Sequence, residues 1–472
     1  AYSPDRPDAQ LSVSYANALL SISDVEEAVE FLRGVVRVHP DEGLLVGGLA
    51  VALNNLYSAD PRELAEAHRA YGRLADRLKP AVRLPYAGRL DKDRRLRLGF
   101  VSPDLRQHSV SFFIEPFFEL HDRKRFEVVA YSTSREHDEV SRRLAGWVSR
   151  WRECASMNAV EMARQVAADH IDIAIDLAGH TDGANLPTFN LRPAPVQVTY
   201  LGYPDTTGLQ TIDYRIVDSF TDPLGVPEGE LGFDERATET LVRLDPCFLC
   251  YRPPPDAPLP FRDPAFPGPI FGSFNATKKI NRSVIALWAR VLEATPGSRL
   301  LLKAFDLRDP AVPERITGRF ADRGIDASRL IFLPATKGLA EHLAVYSRVD
   351  VGLDPLPYNG TTTTCEALWM GVPVVTLAGR THAGRVGVSL LNNVGAPELV
   401  TQSEDEYVAA ASRLAQDGAR LAQYRATLRG MMAASPLCDA PGFAARLGDA
   451  LRRMWSAHCD GAEGVRNEKR TG

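Results

Sequence analysis

The sequence predicts an α/β fold: two lobes, each a parallel sheet covered by helices, behind an α-helical segment. Three observations carry this expectation. Residues 1–90 show helical periodicity. From Leu96 onward, short apolar runs alternate with helical stretches, the pattern of parallel strands buried on both faces. A proline-rich stretch within residues 252–270, RPPPDAPLPFRDPAFPGP, then separates this run from a second one of the same kind.

In VEEAVEFLRGVVRVHPDE the apolar residues Val25, Ala28, Val29, Leu32, Val35 and Val36 form one helical stripe, broken at His39-Pro40-Asp41. ELAEAHRAYGRLADRL (63–78) is a second amphipathic helix. Hairpins of this kind resemble the end of a tetratricopeptide array, and on pattern alone a plain helical cap fits as well. The first lobe's strands are expected in RLRLGFVSPD, FEVVAYST (126–133), IDIAIDLAGHT (171–181), VQVTYLGYP (196–204) and DYRIVDS (213–219). SRRLAGWVSRW and AVEMARQVAADH read as helices between them. The second lobe's strands fall in PIFGSFN (269–275), SRLLLKA, RLIFLP, VDVGLD and VPVVTLAG, with the helix SVIALWARVLEAT after the first. GFAARLGDALRRMWSAHC (442–459) is a closing amphipathic helix. The expected segments are therefore 1–90 helical, 91–262 first lobe, 263–440 second lobe, and 441–472 helix and tail.

Of 472 residues, 45% are hydrophobic and 24% charged, the balance of a globular protein with a sizeable core. A net charge of −5 does not suggest a nucleic-acid surface, and no apolar run approaches a membrane span or a signal peptide. No nucleic-acid or membrane partner is expected. The chain opens on Ala1 rather than Met and is expected to be a piece of a longer protein. Six scattered cysteines point to a reducing cytoplasm. Cys247 and Cys250 form a CxxC in an apolar stretch without a second ligand pair, which favours a structural role over zinc.

Function is expected in the loops that follow the strands. In the first lobe these carry His108, then Asp176 and His180, then Tyr203, Pro204, Thr206 and Thr207. His108 suits an acceptor or phosphate contact, and both it and His180 are also compatible with turn roles alone. In the second lobe the loops carry Asn275 and Lys279, Thr336, Lys337 and His342, and YNGTTTTCEALWMG. After the turn at Gly360 a helix is expected to begin within Thr361, Thr362, Thr363 and Thr364. Its unpaired amides and positive dipole end form an anion site suited to a diphosphate. The hydroxyls add donors and cap the helix when no ligand is present. Glu366, about one turn on, suits the hydroxyls of a ribose. Lys279 neutralises a phosphate as a point charge. The one DxD, Asp91-Lys92-Asp93, lies in a charged linker, so no metal site is expected.

The segments GHT…RPAPVQVTYLGYPDTTG, a strand followed by CFLCY, FGSFN…KI and PYNGTTTTCEALWMGVPVVTLAG together resemble the nucleocytoplasmic protein O-glycosyltransferases. That family includes O-GlcNAc transferase and SPINDLY, and the resemblance covers roughly residues 50–460. It implies two Rossmann-like lobes of the GT-B type, with a tetratricopeptide region presenting protein acceptors. It also implies metal-independent, inverting transfer to Ser or Thr. Lys279 then matches the lysine that holds the donor diphosphate, and His108 a histidine of the active-site loop. Glu366 matches the acid near the donor ribose, and His342 the histidine near the donor base. Thr361 stands where O-GlcNAc transferase has histidine. The pattern GTTTTCE is that of SPINDLY and favours GDP-fucose over UDP-GlcNAc as donor substrate, with no cofactor. Competing readings are a small-molecule glycosyltransferase, against which the helical segment argues, and a scaffold without turnover.

Overall fold

The computed structural model describes residues 8–471 apart from 83, 85, 87, 89, 227 and 228, so residues 1–7 and 472 of the expected terminal segments lie outside it. The chain forms two compact units: Ala1–Ala67 with Pro253–Cys438, and His68–Arg252 with Asp439–Gly472.

The first unit begins with α1 (Ala9–Ser21), α2 (Val25–Val38), α3 (Gly43–Leu53) and the first turns of α4 (Pro61–Leu78). Asp8 caps α1 by accepting from the Leu11 amide at 3.1 Å. Glu26 and Glu27 open α2 and Arg37 closes it, matching the helix dipole. Val25, Ala28, Val29 and Leu32 of α2 pack with Leu19, Leu20, Leu53 and Leu64 in one apolar cluster. Of the expected α2 stripe, Val36 is only half-buried.

The same unit holds a six-stranded parallel sheet: β8 (Ile270–Ser273), β9 (Arg299–Ala304), β10 (Leu330–Pro334), β11 (Val351–Leu353), β12 (Val374–Leu377) and β13 (Val400–Thr401). Its order is β10-β9-β8-β11-β12-β13. The second unit holds β1 (Leu96–Ser102), β2 (Phe126–Ser132), β3 (Arg150–Glu153), β4 (Ile173–Asp176), β5 (Val196–Thr199), β6 (Tyr214–Val217) and β7 (Thr240–Arg243), in the order β3-β2-β1-β4-β5-β6-β7. All its pairings are parallel too. Each sheet therefore carries the Rossmann order 3-2-1-4-5-6, with a seventh strand added to the second. The switch points lie between β8 and β11 and between β1 and β4.

Several expectations need correction. The stretch SRRLAGWVSRW is a short helix, Glu139–Ala145, and its last residues open β3. RWRE is an edge strand, half-exposed, without the apolar run that marks a buried one. β13, two residues long, also went unanticipated. Between Leu78 and Leu96 the described residues hold neither helix nor strand, because Pro80 cannot continue α4. Neither terminal segment forms a body of its own. Leu64 and Ala67 of α4 join the α1–α3 cluster, whereas Tyr71 and Ala75 pack on the core of the second unit. The closing helix, Ala440–Thr471, belongs to the second unit as well, where Trp455 donates to the Asp91 carbonyl at 3.0 Å. Among the described residues no helix is long and apolar enough to cross a membrane.

Candidate functional site

In an open parallel sheet, ligands sit at the carboxyl ends of the strands where the order reverses. In the first unit that place is supplied by the loops leaving β8 and β11. The β8 loop carries Phe274, Asn275 and Lys279, and the β11 loop runs from Asp354 to Thr361. Lys279 is half-buried; its Nζ donates to the Asn359 carbonyl at 2.8 Å and lies 4.0 Å from the centre of the Tyr358 ring. Burial pushes its ammonium pKa down to about 7, opposed by the charge of Asp354. Asp354 is fully buried and accepts from the Gly360 amide at 2.7 Å and the Thr376 hydroxyl at 2.6 Å. Burial raises its pKa, countered by these bonds and by Lys279.

Gly360 has no room for a side chain. A Cβ there would collide with the hydroxyls of Thr363 and Thr364 and approach Asn275 Oδ1 to 3.1 Å. The helix after it runs Thr362–Trp369, starting within the threonines as expected. The expected hydroxyl cap is absent: Thr361 makes no side-chain cap bond. Thr363 donates instead to Asn275 Oδ1, and Thr364 back to the Gly360 carbonyl, each at 3.1 Å. The threonines therefore tie the helix start to the β8 loop and to their own turn.

Glu366, on this helix, is buried. Its Oε2 accepts from His342 Nε2 at 3.0 Å and from the Tyr346 hydroxyl at 3.4 Å. His342 Nδ1 lies 2.6 Å from the Nζ of Lys303, the buried lysine near the end of β9. Phe274 stacks near Tyr346 at 4.2 Å between ring centres and meets His342 edge-on at 5.8 Å. Lys303, Asp354, Tyr358, Phe274 and Tyr346 were not singled out by sequence. A lysine near the end of an otherwise apolar strand, LLLKA, was the one local signal. Thr336 and Lys337, after β10, share no hydrogen bond with this group among the described residues. Lys337 is exposed, and Thr336 Oγ1 is buried with no hydrogen-bond partner.

The remaining candidates lie in the second unit. Asp176, the last residue of β4, is fully buried. It accepts from the Thr199 hydroxyl at 2.9 Å and from the amides of Ala178 and Gly179 at 3.1 and 2.9 Å. Burial pushes its pKa up to about 6. His180 Nε2 donates to the Thr207 carbonyl at 2.8 Å, amid His68, Tyr71 and Tyr203 at 4.7–5.3 Å between ring centres. Burial and the nearby His68 push its pKa down to about 3, so the ring stays neutral. Tyr203 is buried, its hydroxyl 2.8 Å from His68 Nε2, and Pro204 is buried beside it. The hydroxyls of Thr206 and Thr207 both donate to buried Glu239, which also accepts from the Thr207 amide at 2.8 Å. His108 caps the helix Ser109–Leu120, its Nδ1 accepting from the Val110 amide at 3.3 Å. That bond leaves the ring proton on Nε2, so His108 offers a donor there. Burial lowers its pKa against the pull of Asp104. His180, Tyr203 and Thr207 are thus brought together, and Asp176 feels the charge of Glu239, which holds Thr207. No hydrogen bond links His108 to them among the described residues.

Cys247 and Cys250 are buried, and among the described residues no group of three or more His, Cys, Asp or Glu is gathered as a metal site.

Residues 60–233 and 266–447 match the model for glycosyl transferase family 41. The chain is 40% identical over 431 residues to the Arabidopsis thaliana protein named as probable UDP-N-acetylglucosamine–peptide N-acetylglucosaminyltransferase SPINDLY; the match covers 90% of this chain and 46% of that protein. It is 31% identical to the A. thaliana protein SEC, which carries the same enzyme name, over 78% of this chain and 38% of that one. The chain thus spans less than half the length of these curated relatives. Among solved structures, an O-GlcNAc transferase mutant from Thermobaculum terrenum superposes with a TM-score of 0.88 at 39% identity, covering 96% of this chain and 85% of that one. The two sheets are Rossmann-like lobes of the GT-B type behind N-terminal helices, as the sequence led us to expect.

Proposed function

The chain belongs to glycosyl transferase family 41, and from that premise we propose that it moves a sugar from a nucleoside-diphosphate sugar to Ser and Thr hydroxyls of proteins. The observation that carries this reading is Lys279, held between the Asn359 carbonyl and the Tyr358 ring in the same switch-point loops as the start of the helix Thr362–Trp369. A preorganised cation and a helix N-terminus together suit the charge that develops on a leaving diphosphate. The acceptor oxygen bonds to the anomeric carbon as the carbon–phosphate oxygen bond breaks, with inversion. The diphosphate leaves with the bonding electrons, and the hydroxyl proton passes to solvent or to the donor phosphate. Asn275 and Thr361–Thr364 line the diphosphate, Glu366 faces the ribose, and His342 lies by the base, with Thr336 and Lys337 on the same side. His108, Asp176, His180, Tyr203, Pro204, Thr206 and Thr207 serve the acceptor side, Asp176 and Glu239 by holding its loops. Lys279 and the helix dipole take the part a metal plays elsewhere, so transfer is read as metal-independent. The N-terminal helices present protein acceptors, and the compartment is the cytoplasm.

The donor we assign is GDP-fucose, on Thr361 and the GTTTTCE pattern. UDP-GlcNAc is the second reading, favoured by the names of the relatives. Calorimetry with GDP beside UDP decides between them, and tighter UDP overturns the first. Radiolabelled donors with cell lysate in excess EDTA test the activity. Label entering protein supports the reading. Altered free sugar supports a small-molecule enzyme, no product a scaffold, and activity restored by Mg²⁺ or Mn²⁺ overturns the metal-free mechanism.

A further inference from the structure

Lys303 is 3% exposed, near the carboxyl end of the interior strand β9, and its ammonium has an unusual partner. Nζ lies 2.6 Å from His342 Nδ1, and His342 Nε2 lies 3.0 Å from Glu366 Oε2. An ammonium has no lone pair, so Nδ1 must accept. The ring then carries its one proton on Nε2 and donates it to the carboxylate. Two carboxylates face the lysine in its buried place. Burial lowers the pKa of Lys303, opposed by Glu366, on the helix Thr362–Trp369, and Glu341, on the helix Leu339–Ala344, which favour the charged amine. The ring face is fixed independently by edge-on contacts with Phe274 and Tyr346, at 5.8 and 6.0 Å.

We propose that Lys303 is a positioning residue of the nucleotide site: through His342 it holds Glu366 by Oε2, so that Oε1 is presented to the ribose hydroxyls of the donor. This rests on the donor-site reading above. Without the lysine, Nδ1 loses its donor and the ring one of its two polar anchors, while the carboxylate alone still favours the proton on Nε2. The His342–Glu366 pair is then free to shift as a unit, and Oε1 moves with it.

Two measurements on the full chain test this. In ¹⁵N spectra of histidine-labelled protein, with His342 assigned by loss of its signals in His342→Gln, the wild-type ring is expected as the Nε2–H tautomer. Lys303→Met should keep that tautomer and move the Nδ1 resonance toward that of a lone pair without a donor; an unmoved Nδ1 resonance overturns the proposal. A wild-type ring protonated on Nδ1, or on both nitrogens, overturns the proposal whether or not Lys303→Met folds. In calorimetry with GDP, UDP and their 2′,3′-dideoxy forms, Lys303→Met should weaken the preferred ribonucleotide about tenfold and its dideoxy form little. Equal loss on both makes Lys303 a packing residue and overturns the proposal. A wild-type chain that binds neither nucleotide overturns the donor-site reading and this inference with it, whereas the wrong tautomer overturns this inference alone.

Discussion

Asp176 closes β4 in one unit and Asp354 follows β11 in the other, and the two carboxylates are held alike. Each is fully buried at the fourth strand of its sheet and accepts a threonine hydroxyl from the next strand; from its own loop Asp176 accepts two amides and Asp354 one. Their electrostatic neighbours differ. Asp354 has the ammonium of Lys279 nearby, whereas Asp176 feels a second carboxylate, Glu239. In the second unit the hydroxyls of Thr206 and Thr207 are already taken up by Glu239. In the first, a cation whose charged form is disfavoured by burial sits near a helix start that no side chain caps. The buried aspartate is thus a device of the fold, and the cation set against it marks the end suited to an anion.

The comparison breaks most visibly at Lys279. Lys279→Ala should leave melting nearly unchanged and slow transfer about a hundredfold or more, since a preorganised donor to developing charge contributes roughly 3 kcal/mol. Normal turnover would remove this lysine from the site. A smaller effect is expected of Thr362 and Thr363 both changed to Val. Each lost bond to a charged group costs about 1.5–3 kcal/mol, so nucleotide should bind at least tenfold more weakly. Unchanged affinity would leave these hydroxyls a purely structural part, such as the Thr363–Asn275 link.

Proton linkage sharpens the contrast further. Without ligand, Lys279 titrates near 7, and a bound diphosphate raises that value. Binding should therefore take up part of a proton just above neutrality, and affinity should fall with rising pH by at most about tenfold per unit. Calorimetry in two buffers of different ionisation enthalpy reads the uptake; none at pH 7.5 contradicts the assignment. The smallest effect on nucleotide affinity is expected from Asp176→Asn, in the other unit, which should leave it unchanged. Its effect is on stability. The native carboxyl holds its proton up to about 6, and the unfolded one only to about 4. Stability contributed below this window is lost as pH rises through it, by at most about 3 kcal/mol. Urea unfolding at pH 4 and pH 7 should show that fall in the wild type and lack it in the Asn variant.

Lys279, His342 and Glu366 could be picked out in the sequence because each stands just beyond a strand or on the helix that follows one. Asp354 could not, because in VGLD it reads as the end of an apolar strand, and for Lys303 the only local signal was a charge near the end of LLLKA. Their meaning comes from partners 22 and 39 residues away. The strand β3 was hidden for a related reason. RWRE lies at a sheet edge, where no buried apolar run is required.

The sequence alone determined what depends on local period and composition. It set the helical start, the two alternating runs, the proline-rich break, and the helix that begins within four threonines. Tertiary structure decided where each piece belongs. It divided α4 between two cores, assigned the closing helix to the second unit, and tied Thr363 to Asn275 rather than to a cap. The physical reason is that periodicity fixes which face of an element is apolar. Which distant surface covers that face, and which distant donor satisfies a buried acceptor, is settled only when the chain is packed.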